Sequence, residues 1–395
     1  MSLLALKEGN KVGPWILKRK LGEGEYGTVF AASTNTLGSK EFAIKIAPVN
    51  KNRKKNQAAF LISHECTFYR VRFLAFMKDN EEIPHFPRSS TGKKDLISGT
   101  TEDNKYTYLA MELFPRSLSD YIAECGGRLP EYLCYSIAAS CLHIIHFLHS
   151  HCVIYNDIKI DNFMLRETSK GYQLVIVDFG AAEVKTKGRV TPSTGDRGTP
   201  LFTSINSNAL GPMYFSDDIS AISYMICCIL LGTLPWENCK SSEEVLAMKK
   251  TDVLESQLKD YPLLLKFVTA FKLVNTDNID YSYWMDTFQK AAKSCSPERR
   301  NLDFLPREVS QMKEKAKSMS RKAKSQSRKE QKQTTVALQE TSESNSQEIQ
   351  EILNQSPSSA KHSLKRKRSL SLVKSRKVRK VTPTRIQPSR ACKRI

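Results

Sequence analysis

The stretch VIYNDIKIDNFML, residues 153–165, carries the side chains on which the interpretation of this chain depends. It brings Asp157, Lys159 and Asn162 close together in sequence, directly after an apolar run. Further along, the apolar segment LVIVDFG ends in an Asp-Phe-Gly tripeptide that begins at Asp178. Carboxylate and amide oxygens are the ligands that Mg²⁺ prefers in proteins. The pattern therefore predicts a magnesium site that combines Asn162 with Asp178.

Three glycines precede this stretch in the segment LGEGEYGTVF. Gly22, Gly24 and Gly27 follow the pattern G-x-G-x-x-G, which by itself has low specificity. Dinucleotide-binding folds share it, but they continue with a helix and an acidic residue about 20 positions later. Here the residues after Gly27 continue a strand, so we expect the glycines in a hairpin. Without side chains, such a hairpin can lie close to phosphate groups.

A charged residue interrupts the apolar strand EFAIKIAP that follows the glycines. Lys45 needs a partner or a ligand if that strand is buried. Glu65, in the predicted helical segment SHECTFYR, is the expected partner. The alternative for Lys45 alone is an exposed lysine on an edge strand. The glycines before it and Glu65 after it favour a lysine that contacts phosphate.

Residues 15–295 resemble a eukaryotic protein kinase, because these motifs occur in the order typical of that family. The segment RGTPLFTSIN (197–206) stands where most kinases have Ala-Pro-Glu, and it resembles the casein kinase 1 group with its vaccinia-related branch. DIKIDNF is similar to the casein kinase 1 loop, whereas KIAP followed by FLISHECTFYR is similar to the vaccinia-related branch, which the chain resembles most. The resemblance implies an α+β fold with a small β-rich N-lobe and a larger helical C-lobe.

The resemblance also implies a role for each matching residue. Asp157 accepts or orients the proton of the attacking hydroxyl, Lys159 neutralises charge on the transferring γ-phosphoryl group of ATP, and Asn162 and Asp178 hold Mg²⁺. The implied ATP-binding residues are Leu21, Gly22, Gly24, Gly27, Val29, Ala43, Lys45, Glu65, Met111, Glu112 and Leu113. Met111 is the implied gatekeeper, and the next two residues offer backbone hydrogen bonds to adenine.

Three further positions match the family or depart from it. Thr199 matches the threonine that bonds the catalytic Asp and Lys in serine/threonine kinases, and it favours Ser or Thr as the phosphate acceptor. Asp218, in SDDISAISY, matches the aspartate that braces the catalytic loop. Ser223 stands where that motif usually has Gly. Ser223 therefore departs from the usual geometry of the family, but its side chain is not expected to contact a catalytic atom.

Tyr155 and Asn156 replace the His-Arg pair that usually precedes the catalytic aspartate. In many kinases that arginine pairs with a phosphate on the activation loop, and asparagine cannot form this charge pair. We therefore expect activity that does not depend on activation-loop phosphorylation, and the vaccinia-related family also lacks that arginine. The alternative is simple drift at two non-catalytic positions, which is compatible with full activity.

Residue patterns predict strands in the first hundred positions and helices after Leu118. Pro130 is expected at the first position of a long helix, and VLESQLKDYPLLLKFVTAFKLV reads as helical. The apolar segment that begins at Ile219 is broken by Ser, Gly and Pro, so we expect a buried helix there rather than a membrane span. The ten cysteines form no CxxC pair, which indicates reduced thiols.

The last hundred residues differ from the rest in charge and composition. The whole chain has a net charge of +20, and 26 basic against 9 acidic residues fall in 296–395, which leaves +3 for residues 1–295. Their low aromatic content and abundance of Lys, Arg and Ser predict a disordered tail. The predicted organisation is an N-terminal extension (1–14), a kinase domain (15–295) and this tail (296–395).

Basic clusters in the tail suggest a location and partners. KRKR (365–368) and KSRKVRK (374–380) resemble nuclear import signals, although the pattern has low specificity. They can also attract nucleic-acid phosphates without reading sequence, and phosphorylation of Ser369 or Ser371 would weaken that attraction. The alternative is a solvated tail without a partner. We expect a nuclear protein, with cytoplasmic residence as a second possibility, that is monomeric and not bound to membranes.

Three open alternatives concern metal binding, activity and substrate. His143, His146 and His149 follow one another on a predicted helix, but their spacing makes them diverge, so a metal site is disfavoured. A kinase-like scaffold that binds chromatin through its tail is the alternative to an active enzyme. The resemblance makes chromatin proteins candidate substrates, and an acidic or phosphorylated substrate is suggested by four basic residues of the activation segment, Lys185, Lys187, Arg189 and Arg197.

Overall fold

Two lobes are present in the computed structural model, which describes residues 6–24, 27–34, 40–49, 57–68, 85–87, 98–186, 198–296 and 305–307. The first lobe is a β-sheet with one helix, and the second is mainly helical. Both belong to a single unit, residues 1–319. The predicted α+β class and two-lobed architecture are confirmed.

The small lobe is built on an antiparallel six-stranded sheet with the order β1-β2-β3-β4-β6-β5. Its strands are β1 (Lys11–Val12), β2 (Trp15–Gly24), β3 (Gly27–Ser33), β4 (Phe42–Pro48), β5 (Ser98–Thr100) and β6 (Tyr106–Glu112), and its helix is α1 (Gln57–Phe68). The strands predicted after Gly27 and in EFAIKIAP are present as β3 and β4. The helix was predicted to continue beyond Phe68, but those residues lie outside the described ranges.

Side-chain alternation along β4 explains why Lys45 faces the helix. Phe42, Ile44 and Ile46 pack into the hydrophobic cluster on one face of the sheet. The intervening residues, with Lys45 among them, therefore point to the opposite face. That face is covered by α1 through Ile62 and its neighbours. A charged residue in this strand is thus placed next to the helix that carries its partner.

The large lobe contains most of the helices. Its elements are β7 (Arg116–Ser117), α2 (Leu118–Glu124), α3 (Glu131–Ser150), β8 (Val153–Ile154), β9 (Phe163–Thr168), β10 (Gly171–Ile176), β11 (Glu183–Val184), α4 (Ile205–Asn208), α5 (Phe215–Leu231), α6 (Ser242–Lys249), α7 (Val253–Gln257), α8 (Pro262–Phe271) and α9 (Tyr281–Cys295). The hairpin β9–β10 pairs with β7, and β8 pairs with β11. The catalytic-loop stretch lies between β8 and β9.

Two buried helices, α3 and α5, form the centre of the large lobe. The segment predicted as a buried helix is α5, and nearly all of its residues are inaccessible to solvent. Among the described residues, α3 is the one helix with the length and composition to cross a membrane, yet 72% of its apolar window is buried within the fold. A core helix of this kind meets the same test, so α3 gives no support to a membrane span.

Proline residues stand at the start of two helices of the large lobe, and at the first of them the boundary differs by one residue from the prediction. Pro130 precedes α3 as its N-cap, with extended backbone angles, and Glu131 begins the helix. The segment from Val253 onward that was predicted as helical forms two helices, α7 and α8. Pro262 stands at the start of α8, where its missing N–H costs no helical hydrogen bond.

A short segment beyond α9 rejoins the large lobe. Leu305 forms a bridge with Tyr172 of β10, with both backbone hydrogen bonds at 2.8 Å, and its side chain is buried in the core. The Tyr121 hydroxyl donates to the Pro306 carbonyl at 3.1 Å. The packed body therefore continues past residue 295, where the sequence analysis ends the kinase domain. The remaining residues of the predicted tail, apart from Ser296 and Arg307, lie outside the described ranges.

Candidate active site

The glycine motif forms a hairpin between β2 and β3, as predicted. Gly22 pairs with Val29, and Gly24 pairs with Gly27, while residues 25 and 26 lie outside the described ranges. A Cβ on Gly22 would have open space around it. At Gly27, where φ is +139°, a Cβ would come within 2.5 Å of the Ile46 carbonyl oxygen. Gly27 is thus required by the close packing of β3 on β4.

Strand register brings the predicted ATP-binding residues of the sheet to one face. Val29 lies opposite Lys45, and Ala43 lies opposite Met111. Directly opposed residues share a face of the sheet, as do Ala43 and Lys45 on one strand. Leu21 lies where the pairing of β2 with β3 is irregular, and 42% of it is exposed. The structure therefore places these residues together beside the glycine hairpin.

Lys45 is held between two carboxylates. Its Nζ lies 2.9 Å from Glu65 Oε2 and 2.9 Å from Asp178 Oδ1. Burial alone would lower the pKa of Lys45, but the charges of Glu65 and Asp178 more than offset burial and raise it. Burial raises the pKa of Glu65 to about 7, against the attraction of Lys45. Glu65 is thus confirmed as the partner of Lys45.

The Asp-Phe-Gly tripeptide is anchored to the same helix. The Phe179 amide donates to Glu65 Oε1 at 3.1 Å, and its ring stacks on Phe68 at 4.9 Å. Asp178 has a left-handed backbone with φ of +63°, which turns its carboxylate towards Lys45. Burial opposes ionisation of Asp178, but Lys45 more than compensates and lowers the pKa of this carboxyl. Asp178 therefore presents an anionic oxygen at the cleft.

The catalytic-loop residues surround the carboxylate of Asp157. Lys159 Nζ lies 2.7 Å from Asp157 Oδ2, and Asn162 Nδ2 lies 3.0 Å from the same oxygen. The Thr199 hydroxyl donates to the other oxygen, Oδ1, at 3.2 Å. This contact joins Asp157 to a segment of the chain 42 residues away. Asp157 is therefore fixed from both sides.

Two oxygen atoms in this cleft fit a hard divalent cation. Lys45 and the Gly180 amide both bond to Oδ1 of Asp178, and Asn162 uses only its amide nitrogen in its hydrogen bonds to Asp157. Within the described part of the chain, Asp178 Oδ2 and Asn162 Oδ1 accept no hydrogen bond. No cluster of three His, Cys, Asp or Glu residues is found there either. Few protein ligands of hard oxygen type are what Mg²⁺ uses.

Asp218 braces the backbone of the catalytic loop, as predicted. It accepts hydrogen bonds from the Tyr155 amide at 2.7 Å and the Asn156 amide at 2.9 Å. His149 Nε2 lies 2.9 Å from the same carboxylate. His149 is therefore a structural partner of Asp218. His146 stacks on the ring of Tyr281. Ser223 is buried and bonds the Ser220 carbonyl within α5.

The substituted pair at positions 155 and 156 makes contacts of its own. Tyr155 is fully buried, donates its hydroxyl to the Val177 carbonyl and meets the Phe179 ring edge-on at 5.5 Å. Asn156 donates its side-chain amide to the Ala181 carbonyl at 3.0 Å. Both side chains thus connect the catalytic loop to residues on either side of Asp178 in the chain.

A buried arginine beside Glu112 is a feature that the sequence did not lead us to expect. Arg166 donates to both carboxylate oxygens of Glu112, at 2.9 and 2.7 Å, and to the Phe86 carbonyl at 2.6 Å. A hollow of about 390 Å³ adjoins this ion pair and is bordered by Leu113. The side chain of Glu112 is therefore held in an ion pair with Arg166. The sequence offered one indication of this ion pair, because an arginine within the strand sequence FMLRET requires an acidic partner if it is buried.

The predicted basic face of the activation segment needs one correction. Lys185 is buried, and its Nζ bonds to Asp277 at 2.6 Å and to the Met213 carbonyl at 2.9 Å. Its charge is thus neutralised inside the fold and contributes nothing to an exposed basic face. Lys187, Arg189 and Arg197 lie outside the described residues.

The two groups of contacts, around Lys45 and around Asp157, define the class of protein: a phosphotransferase with a protein kinase fold. A family model described as protein kinase domain matches residues 15–360, so the chain belongs to the protein kinase family. The family uses ATP, a divalent metal ion and protein substrates. The match extends past the domain end predicted at residue 295.

Proposed function

We propose that this chain is a serine/threonine protein kinase that uses Mg²⁺ and ATP, and that it is nearest to the vaccinia-related branch of the casein kinase 1 group. The observation that carries the proposal is the fixed carboxylate of Asp157. One of its oxygens contacts Lys159 and Asn162, and the other contacts Thr199. A carboxylate held in this way can accept the proton of an incoming hydroxyl group.

The residues at the cleft divide into phosphate, metal and adenine contacts. Lys45, kept in place by Glu65, contacts the α- and β-phosphates, and the glycines of the hairpin cover them. Asn162 and Asp178 bind Mg²⁺ through the oxygens that accept no hydrogen bond among the described residues. Adenine bonds to the backbone at Glu112 and Leu113. Lys159 stabilises charge on the γ-phosphoryl group during transfer.

Activity without an activation-loop phosphate is part of the proposal. An arginine in place of Asn156 would need an anion to neutralise it, whereas the Asn156 amide bonds directly to the Ala181 carbonyl. Asp218 holds the backbone amide of the same residue. The connection between the catalytic loop and the start of the activation segment is therefore made by neutral hydrogen bonds, which no phosphate has to complete.

The acceptor residue and the metal are tested by one labelling experiment. Casein and purified histones are incubated with the full chain and γ-labelled ATP, and the labelled amino acids are identified after hydrolysis. We expect phosphoserine or phosphothreonine in the presence of Mg²⁺ and none after chelation with EDTA. Phosphotyrosine as the main product would contradict the acceptor assignment. ATP binding without any transfer to protein would favour the scaffold function.

Nuclear location and chromatin substrates are proposed from the tail and the family resemblance. The clusters at 365–368 and 374–380 lie outside the described residues, so the support for them is their composition. Changing the basic residues of both clusters to alanine should move a fluorescent fusion from nucleus to cytoplasm. An unchanged nuclear signal would show that the clusters do not direct import. We propose that the protein acts as a monomer, with tail contacts to nucleic acid that weaken as salt rises.

A further inference from the structure

A lysine in the interior of the large lobe has no acidic partner among the described residues. Lys249, the last residue of α6, is 1% exposed. Burial by itself lowers the pKa of its amine, and hydrogen bonds to the ammonium form oppose that effect. A buried ammonium group without a carboxylate is costly unless hydrogen bonds satisfy it. Its surroundings should therefore supply acceptors, and they do.

Three oxygen atoms from one loop surround the Lys249 amine. Its Nζ lies 2.6 Å from the Pro200 carbonyl, 2.6 Å from the Thr203 carbonyl and 2.8 Å from Asn208 Oδ1. Three acceptors require three N–H donors, which the ammonium form supplies. The rings of Tyr224 and Trp236 lie 5.1 and 5.4 Å from the same nitrogen and also favour a cation. Lys249 therefore ties both halves of residues 198–208, here called the 198–208 loop, to α6.

The 198–208 loop also contacts the catalytic loop directly. Its Thr199 hydroxyl bonds to Asp157 Oδ1 at 3.2 Å. At Gly198, where φ is +71°, a Cβ would lie 2.4 Å from the Asn156 carbonyl oxygen. The two chain segments are therefore in contact at this position. A shift of the 198–208 loop would change the surroundings of Asp157.

Other contacts hold the same loop from different sides. The Trp236 indole donates to the Leu201 carbonyl at 2.8 Å. The Ser204 hydroxyl and the Asn206 amide both donate to Asp217 at the start of α5. The Trp236 indole makes a single contact to the loop, and Ser204 and Asn206 are neutral donors that belong to it. Lys249 differs because its one amine donates to acceptors in both halves of the loop, Pro200 and Thr203 in the first half and Asn208 in the second.

We propose that Lys249 is a positioning residue for the acceptor protein, which fixes the 198–208 loop beside Asp157 and leaves ATP binding unaffected. The inference rests on the proposed kinase function. The loop contacts Asp157 on the oxygen opposite to the one that faces Lys159 and Asn162. An acceptor hydroxyl must approach Asp157, and the hydrogen bonds of the described residues join the loop to Asp157 but not to Lys45, Glu65 or Asp178. The loop therefore forms a wall of the acceptor site.

The test compares Lys249→Met with Lys250→Met, a change at the adjacent lysine, which is exposed. Methionine keeps the apolar stem and removes three hydrogen bonds to a charged group. We expect the KM for casein or histone to rise about tenfold or more in Lys249→Met, with the KM for ATP changed by less than about twofold. Lys250→Met should match the wild type. Equal changes in both KM values, or none, would overturn the inference.

A second variant and a second measurement keep the test decisive. Asn208→Ala removes one of the three acceptors and is the milder change if Lys249→Met does not fold. Hydrogen exchange over residues 199–208 should be faster in Lys249→Met and in Asn208→Ala than in the wild type and Lys250→Met. Unchanged exchange in the folded variants would overturn the inference. If the wild type phosphorylates no protein, the proposed function fails, and the exchange measurement still decides whether Lys249 holds the loop.

Discussion

Asp157→Asn is expected to abolish phosphate transfer while the protein stays folded and still binds ATP. Asparagine has the same shape, but it cannot take up a proton from the attacking hydroxyl. General base catalysis contributes about 100-fold to 10,000-fold, so a loss of at least about 100-fold in kcat is expected. ATP affinity should remain, because Lys45, Glu65 and Asp178 are untouched.

The substitution also changes hydrogen bonds around position 157. Asp157 accepts from Lys159, Asn162 and Thr199, and the amide group of asparagine would oppose one or two of these donors. A cost of about 1–2 kcal/mol in unfolding free energy is expected. Asp161→Asn, four residues along and exposed, is the matched control and should retain wild-type rates. Equal transfer by Asp157→Asn and the control would remove Asp157 from the mechanism.

Lys45→Met is expected to remove transfer by weakening ATP binding and orientation. Methionine fills the same space in β4 but leaves Glu65 and Asp178 facing one another without the intervening ammonium. Both carboxyls are then harder to ionise, so the Mg²⁺ site at Asp178 also suffers. Removal of one partner from a buried charged cluster costs about 3–5 kcal/mol, which should lower the thermal midpoint.

Three measurements separate this effect from general damage. Binding of Mg²⁺-ATP should raise the midpoint of the wild type and of Lys11→Met, an exposed control on the same sheet. The same ligand should give a much smaller increase for Lys45→Met. Circular dichroism should show that the variant is folded. A normal ATP-dependent increase together with normal transfer would contradict the role of Lys45 as the phosphate contact.

The part of the site that sequence could predict depends on local patterns. Glu65 was predictable because the charged Lys45 in an apolar strand requires a partner. The helix α1, which carries Glu65, covers the face of the sheet to which Lys45 points. Asp157, Lys159 and Asn162 lie within one short loop, so their spacing alone brings them together. The contact between Lys45 and Asp178 spans 133 residues. This contact depends on how the two lobes pack together, and the spacing of apolar residues within a short segment carries no information about that packing.

Four basic residues show what sequence could not indicate. Lys249 and Lys250 are adjacent and alike in composition, yet one is 1% exposed and the other lies in solvent. The acceptors of Lys249 are mainly backbone carbonyls, which every residue possesses. Lys185 was assigned to a basic surface because its partner, Asp277, lies 92 residues away. Arg166 likewise finds Glu112 through the sheet geometry.

A time course of the full chain after phosphatase treatment tests whether phosphate transfer needs an activation-loop phosphate. The phosphatase is removed, γ-labelled ATP and casein or histones are added, and initial rates are compared with untreated enzyme. We expect the initial rates of treated and untreated enzyme to agree within about twofold from the first time point. A treated enzyme that is inactive, and that recovers only when residues 178–206 are phosphorylated again, would contradict this expectation.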